Sequence, residues 1–277
     1  MNCEIFICTF RRDFEYLKWC LRSIAKFATE FSGVTIVVPG QDYAELNRTI
    51  DSLYTPPTRS RLGLLHIRPM CGGAEWTDQG FLWHMWCIMQ ADQFVPARST
   101  HIAHLDPDCV FTEPVTPERF CLQGKPVLRY EPYTTKIAKE PNIQHWYEAV
   151  NRALPFWAEY ETMCGHPELY HMGLYKVART LIEQQVGQPL DVYMKQCKNS
   201  YPQTFAEFPT LGAVALQCFP KMYYRHQMGS HPRMEDLENW PVFQAWSHNP
   251  PDVATNLWWR GEQCLRTPLI FYKEIGL

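Results

Sequence analysis

Residues 101–108 read HIAHLDPD, and the expected fold follows from this stretch. Its first five residues are mostly apolar and predict one short buried strand. The strand runs directly into a turn in which Pro107 separates Asp106 from Asp108. In open α/β sheets, ligands bind beyond the carboxyl ends of the strands. Two carboxylates at such an end can face one cation, because hard divalent ions such as Mg²⁺ and Mn²⁺ prefer carboxylate oxygens.

The residues before this stretch alternate between strand and helix patterns. Apolar runs predict strands, and apolar residues three or four positions apart predict amphipathic helices. The predicted strands are 4–10, 34–38 and 62–67, and the predicted helices are 14–28, 44–53 and 79–91. Pro69 is expected to end the third strand. This order implies right-handed crossovers and an α/β fold, with a mostly parallel, Rossmann-like sheet flanked by helices.

The second half of the chain has weaker patterns. Strands are predicted over 126–130 and 220–224, and helices over 143–154, 175–186 and 191–197. Residues 205–218 mix the two signals, and no period holds beyond Ser230, so we expect an irregular C-terminal portion. Because no linker, repeat or low-complexity segment interrupts the chain, we expect a single domain over 1–277.

Composition excludes several classes of protein. The hydrophobic content of 46% and the charged content of 20% exclude general disorder, and the net charge of −3 argues against a polybasic nucleic-acid or anionic-membrane binder. The eleven cysteines contain no CxxC pair, which excludes zinc-ribbon and thioredoxin motifs and favours reduced thiols in a cytoplasmic protein. The N-terminus lacks a signal-peptide pattern, and no long apolar run predicts membrane insertion.

The order of elements up to about residue 130, with its aspartate pair, resembles the GT-A glycosyltransferases, which use nucleotide-sugar donors. The resemblance implies that Asp106 and Asp108 hold Mn²⁺ or Mg²⁺ on the donor diphosphate. It also implies that Thr9, Phe10 and Arg12, at the end of the first strand, line the nucleotide pocket. We take a UDP-sugar as the first candidate for the donor.

The same resemblance divides the chain into a nucleotide-sugar-binding half, 1–125, and an acceptor-binding and catalytic half, 126–277. Members of the family often close the metal shell with a late histidine, and the candidates here are His226, His231 and His248. We favour His248, because it lies in a polar stretch near the end of the chain, and place His231 second.

Two further positions match the family in part. His171 and Gly173 occupy the place where some retaining members carry Asn-x-Gly beside the sugar, although a histidine here replaces the asparagine. Gln79 either contacts the donor or belongs to a helix cap. An inverting enzyme also needs a base for the acceptor hydroxyl. Glu207 is the candidate, because burial in its apolar stretch would raise its pKa; a retaining enzyme would not need it.

Other functions fit parts of the pattern. A haloacid-dehalogenase-like phosphatase would use Asp106 as a nucleophile, and a metal-dependent nuclease would use the acid pair in a basic cleft. A non-catalytic sugar-binding module would stack sugars on its tryptophans but leaves the acid pair unexplained. For a transferase, the acceptor is a glycan, a small molecule or a hydroxymethylated DNA base, the last of which would need flipping into an aromatic slot. The sequence does not address the oligomeric state.

Overall fold

The computed structural model describes residues 1–53, 65–70, 80–198, 204–230, 239–245, 255–259, 262–266 and 268–277. The strands are β1 Cys3–Cys8, β2 Gly33–Pro39, β3 Leu65–Met70, β4 His101–His104, β5 Cys109–Phe111, β6 Cys121–Leu122, β7 Lys125–Pro132, β8 Tyr160–Glu161, β9 Glu168–His171, β10 Tyr224–Gln227, β11 Val242–Gln244, β12 Thr255–Trp259 and β13 Glu262–Arg266. The α-helices are α1 Phe14–Phe27, α2 Tyr43–Leu53, α3 Gly80–Met89, α4 Ala91–Phe94, α5 Tyr133–Lys139, α6 Gln144–Ala153, α7 Met172–Val186, α8 Leu190–Gln196, α9 Glu207–Cys218 and α10 Pro268–Glu274.

The central sheet has the strand order β3-β2-β1-β4-β9. Its first four strands pair in parallel, and β9 runs antiparallel to β4. The predicted α/β fold with a mostly parallel sheet flanked by helices is therefore confirmed. Because β1 and β4 are parallel neighbours, the chain leaves β4 for Asp106 beside the point where it leaves β1 for Phe10.

Helices cover both faces of this sheet. Along β1, Ile5 and Ile7 pack into a core cluster with α1 and α2, whereas Phe6 and Cys8 pack into a second cluster with α3, α7 and α9. Successive side chains of a strand point to opposite faces. With a helix layer on each face, every position of β1 is buried, which explains the continuous apolar run seen in the sequence.

The third strand continues further than its sequence predicts. Pro69 was expected to end it, but β3 runs through Pro69, opposite Val38, to Met70. Among the described strands β3 pairs with β2 alone, so it lies at the edge of the sheet. A proline lacks an amide hydrogen and is tolerated in an edge strand, where one side of the backbone needs no partner.

The stretch with mixed signals forms α9. Pro209 stands in its first turn, where an amide hydrogen has no partner within the helix. Gly212 lies where the helix meets Thr162, just after β8, and a Cβ at this glycine would be 1.9 Å from the Thr162 hydroxyl oxygen. The proline and glycine that blur the pattern are thus a helix start and a close packing contact.

Two smaller sheets complete the described part. One has the order β10-β7-β6, with β8 also paired to β7, and the other has the order β13-β12-β11-β5. The C-terminal portion, expected to be irregular, thus contributes strands and α10. Because β5 follows the Asp-Pro-Asp turn directly and pairs with β11, Gln244 is brought opposite Cys109.

No helix among the described residues is both long and apolar enough to cross a membrane. Nine cysteines are free thiols, namely Cys3, Cys8, Cys20, Cys87, Cys109, Cys121, Cys164, Cys197 and Cys218. Phe6 and Tyr170, from the two predicted halves of the chain, belong to one core cluster. The single-domain organisation, its division into halves and the cytoplasmic location stay predictions.

Candidate active site

The turn after β4 is fixed from two sides. The amide of Leu105 donates to a carbonyl of β1 at 3.0 Å, and the amide of Cys109 donates to the carbonyl of Asp106 at 3.0 Å and closes the turn. The amide of Ala245 donates to the carbonyl of Asp108 at 3.0 Å and attaches the turn to β11. The two aspartates therefore stand on a backbone that both the parallel and the antiparallel sheet hold.

The two carboxylates converge on a common point. Nε2 of Gln244 lies 3.4 Å from Oδ2 of Asp106 and 3.5 Å from Oδ1 of Asp108. The pairing of β11 with β5 puts the glutamine there. Side chains that pointed apart could not share one donor, so this pair has the arrangement that a site for a single cation requires.

A buried histidine faces the first aspartate. Nε2 of His166 lies 2.9 Å from Oδ2 of Asp106, and its Nδ1 lies 3.4 Å from the carbonyl oxygen of His104. Burial lowers the pKa of His166, but the Asp106 charge outweighs this and raises it to about 9. Burial raises the pKa of Asp106, but the attraction of His166 outweighs this and lowers it to about 2. At neutral pH the pair is therefore an imidazolium and a carboxylate.

The second aspartate shows the opposite shift. Burial, and then repulsion by Asp106, raises the pKa of Asp108 to about 8. His84, whose Nε2 lies 3.9 Å from Oδ1 of Asp106, adds little charge, since burial lowers its pKa. A cation beside Asp108 would favour its ionised form. The pair thus combines Asp106, which is already ionised, with Asp108, whose ionised form a cation would stabilise.

Asp106, Asp108, His84 and Gln244 line a cavity of about 640 Å³ at the carboxyl edge of the sheet, and His166 lies behind Asp106, outside the lining of this cavity. Its described acidic lining residues are Asp13, Glu15, Asp106, Asp108 and Glu207. Arg12 is the one lysine or arginine among the lining residues that the structure describes. Aromatic rings of Phe10, Tyr16, Phe81 and Trp146 form other parts of the wall. The cavity therefore combines apolar surface with a strong excess of acidic groups.

Glu207 lies on the same wall, at the first position of α9. Its side chain is 8% exposed. Burial is the main cause that raises the pKa of Glu207 to about 7, and the negative charge of Asp106 adds to the shift. Phe208 next to it accepts hydrogen bonds from the hydroxyls of Tyr170 and Thr162 at 3.3 and 3.5 Å, which hold the start of the helix. A carboxyl group with this pKa can both gain and release a proton near neutral pH.

The residues predicted at the end of β1 divide between the cavity and the interior. The Phe10 ring lines the cavity and packs against Trp83, with ring centroids 4.9 Å apart. The Arg12 guanidinium lies 5.6 Å from the Phe10 centroid and is largely exposed. Thr9 is fully buried and is not a lining residue; its hydroxyl lies 3.5 Å from the carbonyl oxygen of Phe10. A contact of Thr9 with a ligand stays a prediction.

The structure places His171 and Gly173 away from the cavity, and a role for them beside the sugar stays a prediction. His171 pairs with His101 at the amino end of β4, about 10 Å along the strand from the end that leads to Asp106. Its Nδ1 accepts a hydrogen bond from the amide of Gly173 at 3.0 Å and caps α7. Since β9 is antiparallel to β4, its final residues lie at the opposite edge of the sheet, and the structure does not bring them to the cavity.

The remaining predicted residues have other outcomes. Gln79, His231 and His248 lie outside the described residues, so their roles stay predictions. His226 is buried in β10 and is not among the described cavity-lining residues.

The structure also adds His84, His166 and Gln244, which sequence reasoning missed. Gln244 stands in the polar stretch that drew attention to His248, and His166 is flanked by Gly165 and Pro167 in a short turn. These two features are the signals in the sequence that could have indicated Gln244 and His166. A single histidine in an apolar helix, such as His84, offers none.

The acid pair fits a divalent cation. Its oxygens converge, and burial together with repulsion by Asp106 raises the pKa of Asp108, so a cation placed between the two carboxylates would favour the ionised form of Asp108. Within the described ranges, no group of three His, Cys, Asp or Glu side chains forms a set of metal ligands. The described residues would therefore supply the two carboxylates and leave the other coordination positions of the ion to water and phosphate oxygens, as Mg²⁺ sites commonly do.

Comparisons with known proteins find similarity among solved structures only. No family model matches the chain, and no curated protein matches it. Among solved structures, the apo form of mouse xyloside xylosyltransferase 1 is similar over 81% of this chain and 85% of that chain, with 10% sequence identity and a TM-score of 0.45. A similarity this distant assigns no family, so the chemistry of the cavity has to carry the functional inference.

Proposed function

We propose that the chain is a glycosyltransferase that requires Mn²⁺ or Mg²⁺ and moves a sugar from a nucleotide-sugar, with a UDP-sugar as the first candidate, to an acceptor hydroxyl. The observation that carries this proposal is the convergence of Asp106 and Asp108 on one point of a cavity at the carboxyl edge of the sheet. Fold alone would not justify it, because similar sheets serve many reactions.

The charge of the cavity supports a cation-dependent diphosphate site. Several acidic side chains of the cavity would repel an anionic diphosphate. Arg12 is the single Lys or Arg among the described lining residues that could offset this repulsion. A divalent ion held by Asp106 and Asp108 would supply Lewis-acid stabilisation of the charge on the departing diphosphate. His166 keeps Asp106 ionised and oriented for this purpose. A late histidine, His248 or His231, is proposed to complete this shell.

Glu207 is proposed as the general base of an inverting reaction. In such a reaction the acceptor hydroxyl loses its proton while it attacks the anomeric carbon of the donor sugar. Burial raises the pKa of Glu207 to about 7, so the side chain is partly ionised at neutral pH and can take up that proton. A hydrogen bond from its own backbone amide favours the ionised form. Its place on the cavity wall beside the acid pair suits this role.

Phe10 and Arg12 are proposed to bind the nucleotide. The Phe10 ring offers a face in the cavity wall. The Arg12 side chain is 72% exposed beside Asp13, with 3.5 Å between Nε and Oδ1, and is proposed to turn to a phosphate of the donor. Gln79 and Thr9 are proposed as further residues that contact the nucleotide-sugar. The acceptor is a glycan, a small molecule or a hydroxymethylated DNA base.

A thermal-shift experiment tests the proposal. The protein is mixed with UDP-, GDP- and CMP-sugars, each with Mn²⁺ or with EDTA. One nucleotide class together with Mn²⁺ should raise the Tm by about 5 °C at saturating donor. Asp108→Asn should lose this shift, whereas the exposed control Asp191→Asn should keep it. Donor binding and turnover that persist in EDTA and in Asp108→Asn would refute the proposal.

A further inference from the structure

One aromatic side chain stands out on the surface away from the proposed active site. Trp157 is 67% exposed, more than any other large hydrophobic side chain that the structure describes. Leaving so much apolar surface in water is unfavourable, so exposed aromatic patches commonly mark binding sites.

Hydrogen bonds and a ring contact anchor the segment that carries Trp157. Oδ1 of Asn151 accepts a hydrogen bond from the amide of Ala158 at 2.7 Å, and its Nδ2 donates to the carbonyl oxygens of Tyr147 and Ala158 at 2.9 and 3.4 Å. The Tyr147 ring meets the Trp157 ring edge-on, with centroids 5.4 Å apart and an angle of 86°. A ring fixed in this way loses little entropy when a ligand binds.

Trp157 forms one side of a groove of about 300 Å³. Other aromatic rings of the groove belong to Phe156, Tyr130 and Tyr160, and the two tyrosine rings meet edge-on with centroids 4.9 Å apart. Polar groups of the groove belong to Glu159, Gln217 and Arg225. None of these residues lines the cavity of the acid pair, so the groove is a second, separate concave site.

The chemistry of the groove suits a neutral sugar. A pyranose has apolar C–H faces that lie on an aromatic ring, and hydroxyls around its edge that need donors and acceptors. The carboxylate of Glu159 accepts hydrogen bonds, and the amide of Gln217 both donates and accepts them. Arg225 donates one N–H group to the carbonyl of Leu216 and has further N–H groups to donate. The charges of Glu159 and Arg225 cancel. Without a basic surplus the groove has no electrostatic attraction for a nucleic-acid backbone.

We propose that this groove binds a neutral pyranose of a glycan, with the sugar face stacked on Trp157. One helix connects the groove to the proposed base: α9 begins with Glu207 and lines the groove with Ala213, Leu216 and Gln217. At 1.5 Å per residue, the groove lies about 9–15 Å along the helix axis from Glu207. The identification of this glycan as the acceptor rests on the proposed function; glycan binding itself does not.

Direct binding tests the groove. The protein is applied to an array of immobilised neutral oligosaccharides, with single-stranded and duplex DNA as comparison arms. Neutral oligosaccharides should be retained and DNA should not. Trp157→Ala should weaken retention at least about tenfold, and Trp157→Phe should restore most of it, since a stacking face returns. Ile270→Ala, which changes another side chain that is 58% exposed, should bind as the wild type does.

The outcomes separate the groove from the active site. Failure of every neutral oligosaccharide to bind, equal binding by Trp157→Ala, or preferential binding of DNA would each overturn the inference, once an unchanged Tm has shown that the variant is folded. Release of UDP from a UDP-sugar with Mn²⁺ is measured separately on the wild type. Glycan binding without this hydrolysis supports the groove and counts against the proposed function, and hydrolysis without glycan binding refutes the groove alone.

Discussion

Replacing Glu207 with glutamine tests the proposed base most directly. Glu207→Gln keeps the shape of a side chain that is 8% exposed and removes its ability to accept a proton. General-base catalysis contributes about 10²–10⁴-fold to a rate, so kcat should fall by at least about 100-fold. The wild-type pKa of about 7 predicts that kcat rises with pH up to about 7 and is flat above it. This rise should disappear in the variant, and the KM for the donor should change little.

The fall in kcat should not come from loss of folding, because Glu207→Gln is expected to remain stable. Burial raises the pKa of Glu207 from 4.5 to about 7, so its contribution to stability is full below pH 4.5 and is lost as the pH rises through about 7. A neutral glutamine avoids that loss, so the variant should be at least as stable as the wild type at about pH 8.

Initial rates of UDP release with acceptor, measured from about pH 5.5 to 8.5 with Mn²⁺ in excess, provide kcat and KM. Glu148→Gln, on the exposed surface of α6, is the matched control and should behave as the wild type. A glutamine variant that keeps its kcat while its donor KM rises, or that keeps the rise with pH, would show that Glu207 is not the base.

Three further predictions concern the scaffold. Gly212→Ala should lower the free energy of unfolding by about 3 kcal/mol in urea titration, because its Cβ would be 1.9 Å from the Thr162 hydroxyl oxygen; unchanged stability would contradict this packing. Burial raises the pKa of Glu161 to about 7, so its stabilising contribution is full below pH 4.5 and is lost through about pH 7. Glu161→Gln should therefore be less sensitive to pH, gaining about 2 kcal/mol relative to wild type between about pH 5 and 8; parallel stability curves would argue against a buried protonated acid. Arg179→Lys should cost about 2 kcal/mol by thermal unfolding, because lysine cannot reproduce the two contacts at 2.6 and 2.8 Å with Asp92; a Tm equal to wild type would show that the pair contributes little.

Local sequence was sufficient for the elements that form the parallel sheet. The apolar runs of β1, β2 and β4 are short and end in turn residues, and amphipathic helices separate the first strands. This order restricts the connections to right-handed crossovers. The same reasoning put Asp106 and Asp108 at the carboxyl end of a strand, where the structure has them. The patterns were weaker where tertiary contacts decide the outcome, as at the edge-strand residue Pro69 and at Gly212 in α9.

What the sequence determines by itself is the order of strands and helices in the parallel sheet, because apolar period and turn residues act over a few positions. Tertiary structure decided the rest. The antiparallel direction of β9 moved His171 to the far edge of the sheet, and the pairing of β5 with β11 brought Gln244 to the acid pair. His166 meets Asp106 although 60 positions separate their numbers. The pKa values of these groups depend on burial and on neighbouring charges, which exist only after the chain has folded.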